Sequence, residues 1–431
     1  MWDKSDTDNK VLNHLKGTMS NSTKICFLLC LSFIFLQSCA YIPKSVSELT
    51  TSGPDEKAIQ TLKETKNCVE CNLKQSNLNF AKLAKADLSE TNLDSSSMNG
   101  VVLTGSILNN TSFVKADLSS SNISNANGTN TNFSSAIITR SKINNSKFEK
   151  SDFSGANISK SKLKKSSFID SNFSKVQMVD SNLINTDLSR SDLSDGNYNN
   201  TNFSGAILTG CDLSNISAKK TVFKSANLQE TKNQDSNFDG ANFSKSNLTR
   251  SIFDKTSLIG SNFTGADLTL ASLNSSIMTK ANFTFAQMSK ADYTNADLSM
   301  AKFKKTNASG IIMNSTNLTG VKLDRSKFDG ANFENANFSK IISAGSSFIN
   351  SSFKNANLTD AVFKKSDMTG STFEGTILTG ANLKGSILDG ADLSKAILCD
   401  TKMSDGKISK RDCEKEKEKG KEKEPSEPKK E

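Results

Sequence analysis

TILTGANLKGSILDGADLSKAIL, residues 376–398, places Leu378, Leu383, Leu388, Leu393 and Leu398 every fifth residue. Two places before each stands a small residue: Thr376, Ala381, Ser386, Ala391 and Ala396. A helix repeats every ~3.6 residues and a half-buried strand about every two, so a period of five belongs to neither. The same phase runs back to Leu73 and on to Ile408 without insertion or deletion, sixty-eight consecutive units. A repeat this long specifies a solenoid, in which each coil packs only on its neighbours and length adds coils instead of separate cores.

The totals then read differently from those of a globular chain. Only 35% of the 431 residues are hydrophobic, a composition that by itself suggests disorder; the strict phase of the apolar residues argues for order. The net charge of +9 is spread along the chain. Residues 1–67 hold 8 Lys and 7 acids, residues 409–431 hold 9 Lys and Arg and 8 acids, and the body, 68–408, holds 37 bases and 30 acids. That excess is mild and falls short of a nucleic-acid binder's signature, so no nucleic-acid partner is expected.

In chain order, residues 1–38 read as a leader, with Met1 or Met19 as the start. Lys24 supplies a basic region and Ile25–Phe35 an apolar stretch too short to span a bilayer comfortably. Leu36-Gln37-Ser38-Cys39 follows and resembles the lipobox of bacterial lipoproteins, with Gln37 a less usual occupant. The resemblance implies that Cys39 becomes an acylated N-terminus, and Ala40 after it favours an outer membrane; an uncleaved anchor or an ordinary cleaved signal are the alternatives. Residues 39–67 comprise a polar tether and then a capping element. Ser52-Gly53-Pro54-Asp55-Glu56 has the features of a helix start, and Ala58, Ile59 and Leu62 recur on one face, predicting a short amphipathic helix over 54–65. Its expected task is to cover the open end of the first coil.

From Cys68 to Ile408 the sequence resembles the pentapeptide-repeat family, whose motif is A-(D/N)-L-x-x. Of the sixty-eight small positions, sixty-two are Ala, Ser, Thr, Gly or Cys; Val101, Val176, Ile216, Ile311, Val321 and Ile341 are the exceptions. The resemblance implies an all-β solenoid, a right-handed quadrilateral parallel β-helix with one pentapeptide per side and four per coil. Seventeen coils at about 4.8 Å each make a rod roughly 80 Å long. Central positions twenty apart should then stack: Phe113, Phe133, Phe153 and Phe173 in one column, Phe203 to Phe303 in another. Ile216 beside Ala218, and Ile341 beside Ser343, exchange large and small, which cores tolerate. Gly128 and Asn233 lack such compensation and predict a cavity or a buried, hydrogen-bonded amide. Residues 409–431 are a closing segment and a charged tail without apolar residues beyond Cys413.

Eight cysteines punctuate the chain. Cys26 and Cys30 leave with the leader, and Cys211 fills a small inward site as an inert thiol. Cys68 and Cys71 before the first coil, and Cys399 and Cys413 around an Asp-Gly turn after the last, resemble features of exported members of the family. The resemblance implies a Cys399–Cys413 disulfide clamping the C-terminal segment and a possible second one between Cys68 and Cys71. A CxxC can also be redox-active or half a zinc site, but no second pair, His ligand or βαβ pattern accompanies it. No metal or cofactor is expected. The only His, His14, lies in the leader, so a Ser-His-Asp or Cys-His arrangement has no base and no enzyme activity is expected. Lys142, Lys162, Lys164 and Lys165 lead a basic bias between 140 and 175, where Lys142 and Lys162 fall one coil apart. Like charges so placed repel, which hints at an anionic polymer or lipid headgroup, against the simpler reading of a solvated Lys-rich face. Together these features predict a non-enzymatic, lipid-anchored extracytoplasmic rod acting as scaffold, spacer or binding surface for an unknown protein or anionic polymer. The alternative within the family, a cytoplasmic DNA mimic that binds topoisomerases, calls for an acidic body without an export signal.

Overall fold

A computed structural model describes residues 55–414. The leader, Cys39, the tether and the charged tail lie outside the described residues.

The five-residue period becomes a four-sided coil. The second residue of each side pairs in parallel with the residue twenty positions on, from Asn67↔Asp87 to Asn382↔Lys402, with no slip of register. Most sides contribute a single pairing residue, because the corners take the others. On one face, four successive sides widen into short parallel strands: β1 (Lys302–Lys304), β2 (Lys322–Asp324), β3 (Ile342–Ala344) and β4 (Val362–Lys364), in that spatial order.

Each corner is a tight turn. Ser76 N–H donates to the Leu73 carbonyl at 3.1 Å, and Gln75 between them has φ +60°. Positive φ at the third residue is the mark of a type II turn, and every fifth residue from Glu70 to Gly390 has it. The Asp or Asn of the motif works at the other end of the side. Asp87 Oδ1 accepts from the Ser89 N–H at 3.0 Å and from its hydroxyl at 2.7 Å, the local bonding that makes Asx residues good turn formers.

The interior is a continuous apolar column from Ile59 and Leu62 to Leu398. Rings stack one coil apart as the sequence implies: Phe113, Phe133, Phe153 and Phe173 at centroid spacings of 4.8, 4.8 and 4.7 Å. Phe203, Phe223, Phe243, Phe263, Phe283 and Phe303 follow at 5.0–5.2 Å. Such pairs contribute about 0.5–1.5 kcal/mol each beyond their burial. Ile216 and Ala218 are both buried, as are Ile341 and Ser343. Asn233 is a buried amide whose Nδ2 donates to Thr231 Oγ1 at 2.8 Å. At Gly128 the expected cavity does not arise. A Cβ there would lie 3.0 Å from both the Phe148 ring and the Leu108 carbonyl, so the neighbours have closed in.

The small inward position does more than save space. Ser161 Oγ donates to the Ile138 carbonyl at 2.7 Å and accepts from the Ser141 N–H at 2.9 Å. A hydroxyl from the following coil thus bridges the two ends of the 138–141 turn. Ser166, Ser171, Ser191, Ser236 and Ser371 do the same for their preceding coils.

The N-terminal helix α1 (Glu56–Thr65) is shorter by two residues than predicted. Asp55 is its cap, accepting from the Ala58 N–H at 3.0 Å. Ile59 and Leu62 are buried and join the solenoid core.

Candidate functional site

The ends and one face of the solenoid hold every candidate residue that is described. At the N-terminal end Cys68 occupies an inward position, 3% exposed, with its Cα 5.5 Å from that of Cys71. At the other end Cys399 and Cys413 come together with Cα atoms 4.6 Å apart. Both separations suit a disulfide. Asp400 stands beside the second pair, its Oδ2 3.9 Å from Cys399 Sγ.

The closing segment is built from more than the cysteines. Strands β5 (Thr401–Lys402) and β6 (Ile408–Ser409) pair antiparallel across the Asp405-Gly406 turn. Ile408, which continues the repeat phase in the sequence, is 63% exposed; the phase outlasts the parallel ladder, whose last pairing is at Lys402. Beyond the hairpin, Asp412 Oδ2 accepts from the Leu398 N–H at 3.0 Å and from Arg411 Nε at 2.8 Å. Arg411 in turn donates to the carbonyls of Leu393, at 3.1 Å, and Ala396. One coil earlier, the corresponding Leu378 N–H is met by the Ile397 carbonyl. Arg411 and Asp412 thus supply the bonds that a further coil would make. The sequence reading assigned the closure to the cysteines alone and missed this pair; both residues stand between Cys399 and Cys413, which was the available signal.

Cys211 is buried in a small inward site, its thiol donating to the Leu188 carbonyl at 2.9 Å, as a serine there would. Burial pushes the thiol up to about 12, consistent with an unreactive side chain.

Lys142, Lys162, Lys164 and Lys165 lie on one face. Lys142 and Lys162 are ladder partners, and all but the partly covered Lys164 are exposed. The other bases between 140 and 175 are dispersed: Lys147 and Lys150 belong to the next face, Lys175 to the one after, Arg140 and Lys160 to the fourth.

This geometry, five residues a side and twenty a coil, is that of a known repeat. Profiles described as pentapeptide repeats match in eight copies, residues 71–110, 111–149, 236–274, 256–299, 276–314, 316–340, 344–375 and 366–405. A profile described as a pentapeptide repeat region matches residues 146–223. The chain belongs to the pentapeptide-repeat family. Among solved pentapeptide-repeat structures, it is similar to HetL from the cyanobacterium Nostoc, described as involved in heterocyst differentiation regulation. That match has 25% identity, covers 56% of this chain and 93% of HetL, and has a TM-score of 0.30. It is also similar to a pentapeptide-repeat protein of the Arabidopsis thaliana thylakoid lumen, with 26% identity, 30% and 66% coverage and a TM-score of 0.16. Full-length QnrB1, described as a plasmid-mediated fluoroquinolone resistance protein, matches at 17% identity over 54% of this chain and 92% of its own, with a TM-score of 0.22. No curated protein matches the chain.

Proposed function

We propose that this pentapeptide-repeat protein is a non-enzymatic, membrane-anchored rod of the extracytoplasmic space, serving as a scaffold, spacer or binding surface. The observation that carries the reading is the distribution of cysteine. Four of the five described cysteines stand in bonding geometry at the two ends of the solenoid, and the fifth is buried in its core. Such an arrangement suits an oxidising compartment, where a disulfide at each end persists. The leader and Leu36-Gln37-Ser38-Cys39 point to the same compartment and supply the anchor; several acyl chains hold a protein to a bilayer far better than one.

Two measurements test it. Radiolabelled palmitate should enter the protein in cells and be lost on Cys39→Ala, with the protein leaving the membrane fraction. Mass spectrometry of the unreduced mature protein should find Cys399 linked to Cys413 and Cys68 to Cys71. Labelling that survives Cys39→Ala rejects this anchor, and free thiols at both ends reject the compartment.

A further inference from the structure

The solenoid's charge is spread along its length but not around it. One face is built from residues 81–85, 101–105 and every corresponding side to 401–405, a single parallel ladder from Lys82↔Val102 to Asn382↔Lys402. Its outward positions carry seventeen Lys and Arg against two acids, Asp324 and Asp405. Between residues 69 and 405, the following faces in chain order carry six bases and eleven acids, seven and eleven, and six and six. The entire positive excess therefore lies on one face, and the other three together are negative.

Sixteen of the seventeen bases are lysines. Of these seventeen bases, only Arg325 is in an ion pair among the described residues, with Asp324 at 3.2 Å. Apart from the side 81–85, the basic sides of this face adjoin one another, in runs of two or three beginning at residues 141, 221, 301 and 361, so that cationic steps recur along the solenoid. Within a step, Lys142 faces Lys162 and Lys302 faces Lys322 as ladder partners, a repulsion that the neutral residues common elsewhere on the ladder avoid. Solubility alone calls for charge of both signs interspersed. A small ligand calls for convergence, and these charges run the length of the solenoid. A single-stranded nucleic acid calls for a row of stacking rings; the outward residues of this face include one ring, Phe285, with Lys305 Nζ 5.7 Å above it. An anionic bilayer calls for what is present: many lysines in one surface, acting as point charges without fixed geometry. Phe285 and Ile342 on the same face are half-exposed, as residues that enter an interfacial layer are.

We infer that this face docks lengthwise on an anionic phospholipid surface, its lysines meeting headgroup phosphates while the more acidic faces point away. The inference refines the binding-surface reading above, and it turns the rod along the membrane instead of outward from it. Docking does not require the lipid on Cys39, so the test uses the full chain carrying Cys39→Ala. Its flotation is compared on vesicles of phosphatidylcholine alone and of phosphatidylcholine mixed with phosphatidylglycerol; the leader is common to the variants below, so partitioning through it cancels when they are compared. Binding should require phosphatidylglycerol and fall steeply with added salt. Combined Lys302→Glu, Lys304→Glu and Lys322→Glu changes should weaken it by about tenfold or more. The same reversal at Lys175, Lys255 and Lys354, on another face, should change it by about twofold or less. All six side chains are exposed, and a circular dichroism spectrum like that of the parent checks that both variants are folded. Equal loss in the two variants would show that only net charge matters and overturn the inference. So would absence of binding to phosphatidylglycerol vesicles, or binding to soluble polyphosphate in preference to them. None of these outcomes bears on palmitate labelling, which tests the anchor separately.

Discussion

Two tyrosines sit at inward positions, and the residue scale shows how differently the same side chain can be treated. The Tyr198 hydroxyl donates to the Leu193 carbonyl at 3.1 Å, whereas the Tyr293 hydroxyl, equally buried, has no partner among the described residues. Tyr198→Phe should therefore cost about 1 kcal/mol, and Tyr293→Phe should be neutral or stabilising, because it removes a desolvated, unpaired group. Urea unfolding of the two variants side by side checks this. Cys211 gives a second prediction, in pH. Its folded thiol titrates at about 12 against an ordinary value of 9.0. Between those values the unfolded chain binds fewer protons than the folded one, so this contribution to stability is whole below pH 9 and is lost as pH rises towards 12. Cys211→Ser should remove that part of the alkaline loss. Both tyrosines and Cys211 were readable as inward residues from their phase. Whether a buried hydroxyl finds a carbonyl depends on rotamer and corner geometry, which phase does not encode.

At the scale of the element, the corner is the unit to examine. The sequence made the small position legible as a question of size, since Ala, Ser and Thr all pass. Size alone hides the difference between two corners. In the 133–136 turn, Ala136 N–H donates directly to the Phe133 carbonyl at 3.0 Å; in the 138–141 turn, a Ser161 hydroxyl stands between the two groups. Ser161→Ala should raise hydrogen exchange at the Ser141 amide and cost about 1–2 kcal/mol locally, the difference between a bridged pair and groups left apart. The same change at Ser76, whose hydroxyl is unpartnered among the described residues, should cost almost nothing. The C-terminal closure is a second element with a specific liability. Asp412→Ala leaves the Leu398 N–H unmet and Arg411 without its carboxylate. Exchange should then quicken first in residues 393–403 and not at the N-terminal coils, under oxidising and reducing conditions alike.

The whole solenoid poses the problem of its two open ends. Parallel coils present unpaired backbone at either end, and an uncovered end is a template for another copy. Helix α1 meets that need at the N-terminal end through Ile59 and Leu62. Leu62→Asp should detach it and produce end-to-end dimers, seen as a doubled mass by light scattering; a protein that remains monomeric would show that α1 is dispensable. The architecture was legible almost entirely from the period of five, because no insertion breaks its phase. The charge on one face was not, although every lysine was in view, since charges counted along the chain average out what counting by twenties separates. Arg411 and Asp412 were hidden for another reason: they follow the repeat and obey no period.

The bridging hydroxyls also give the molecule a direction. Each one belongs to the coil that follows and reaches back to the coil before. A chain delivered N-terminus first, from a ribosome or through a translocation pore, therefore leaves each bridged corner open until the following coil arrives. The next twenty residues complete such a corner, so assembly at these corners advances like a ratchet, each tooth latched by the coil after it. Arg411 and Asp412 latch the last tooth. A chain stalled before them is left with an unpaired edge, a template for another copy, so truncation there is a direct route to aggregation for this fold.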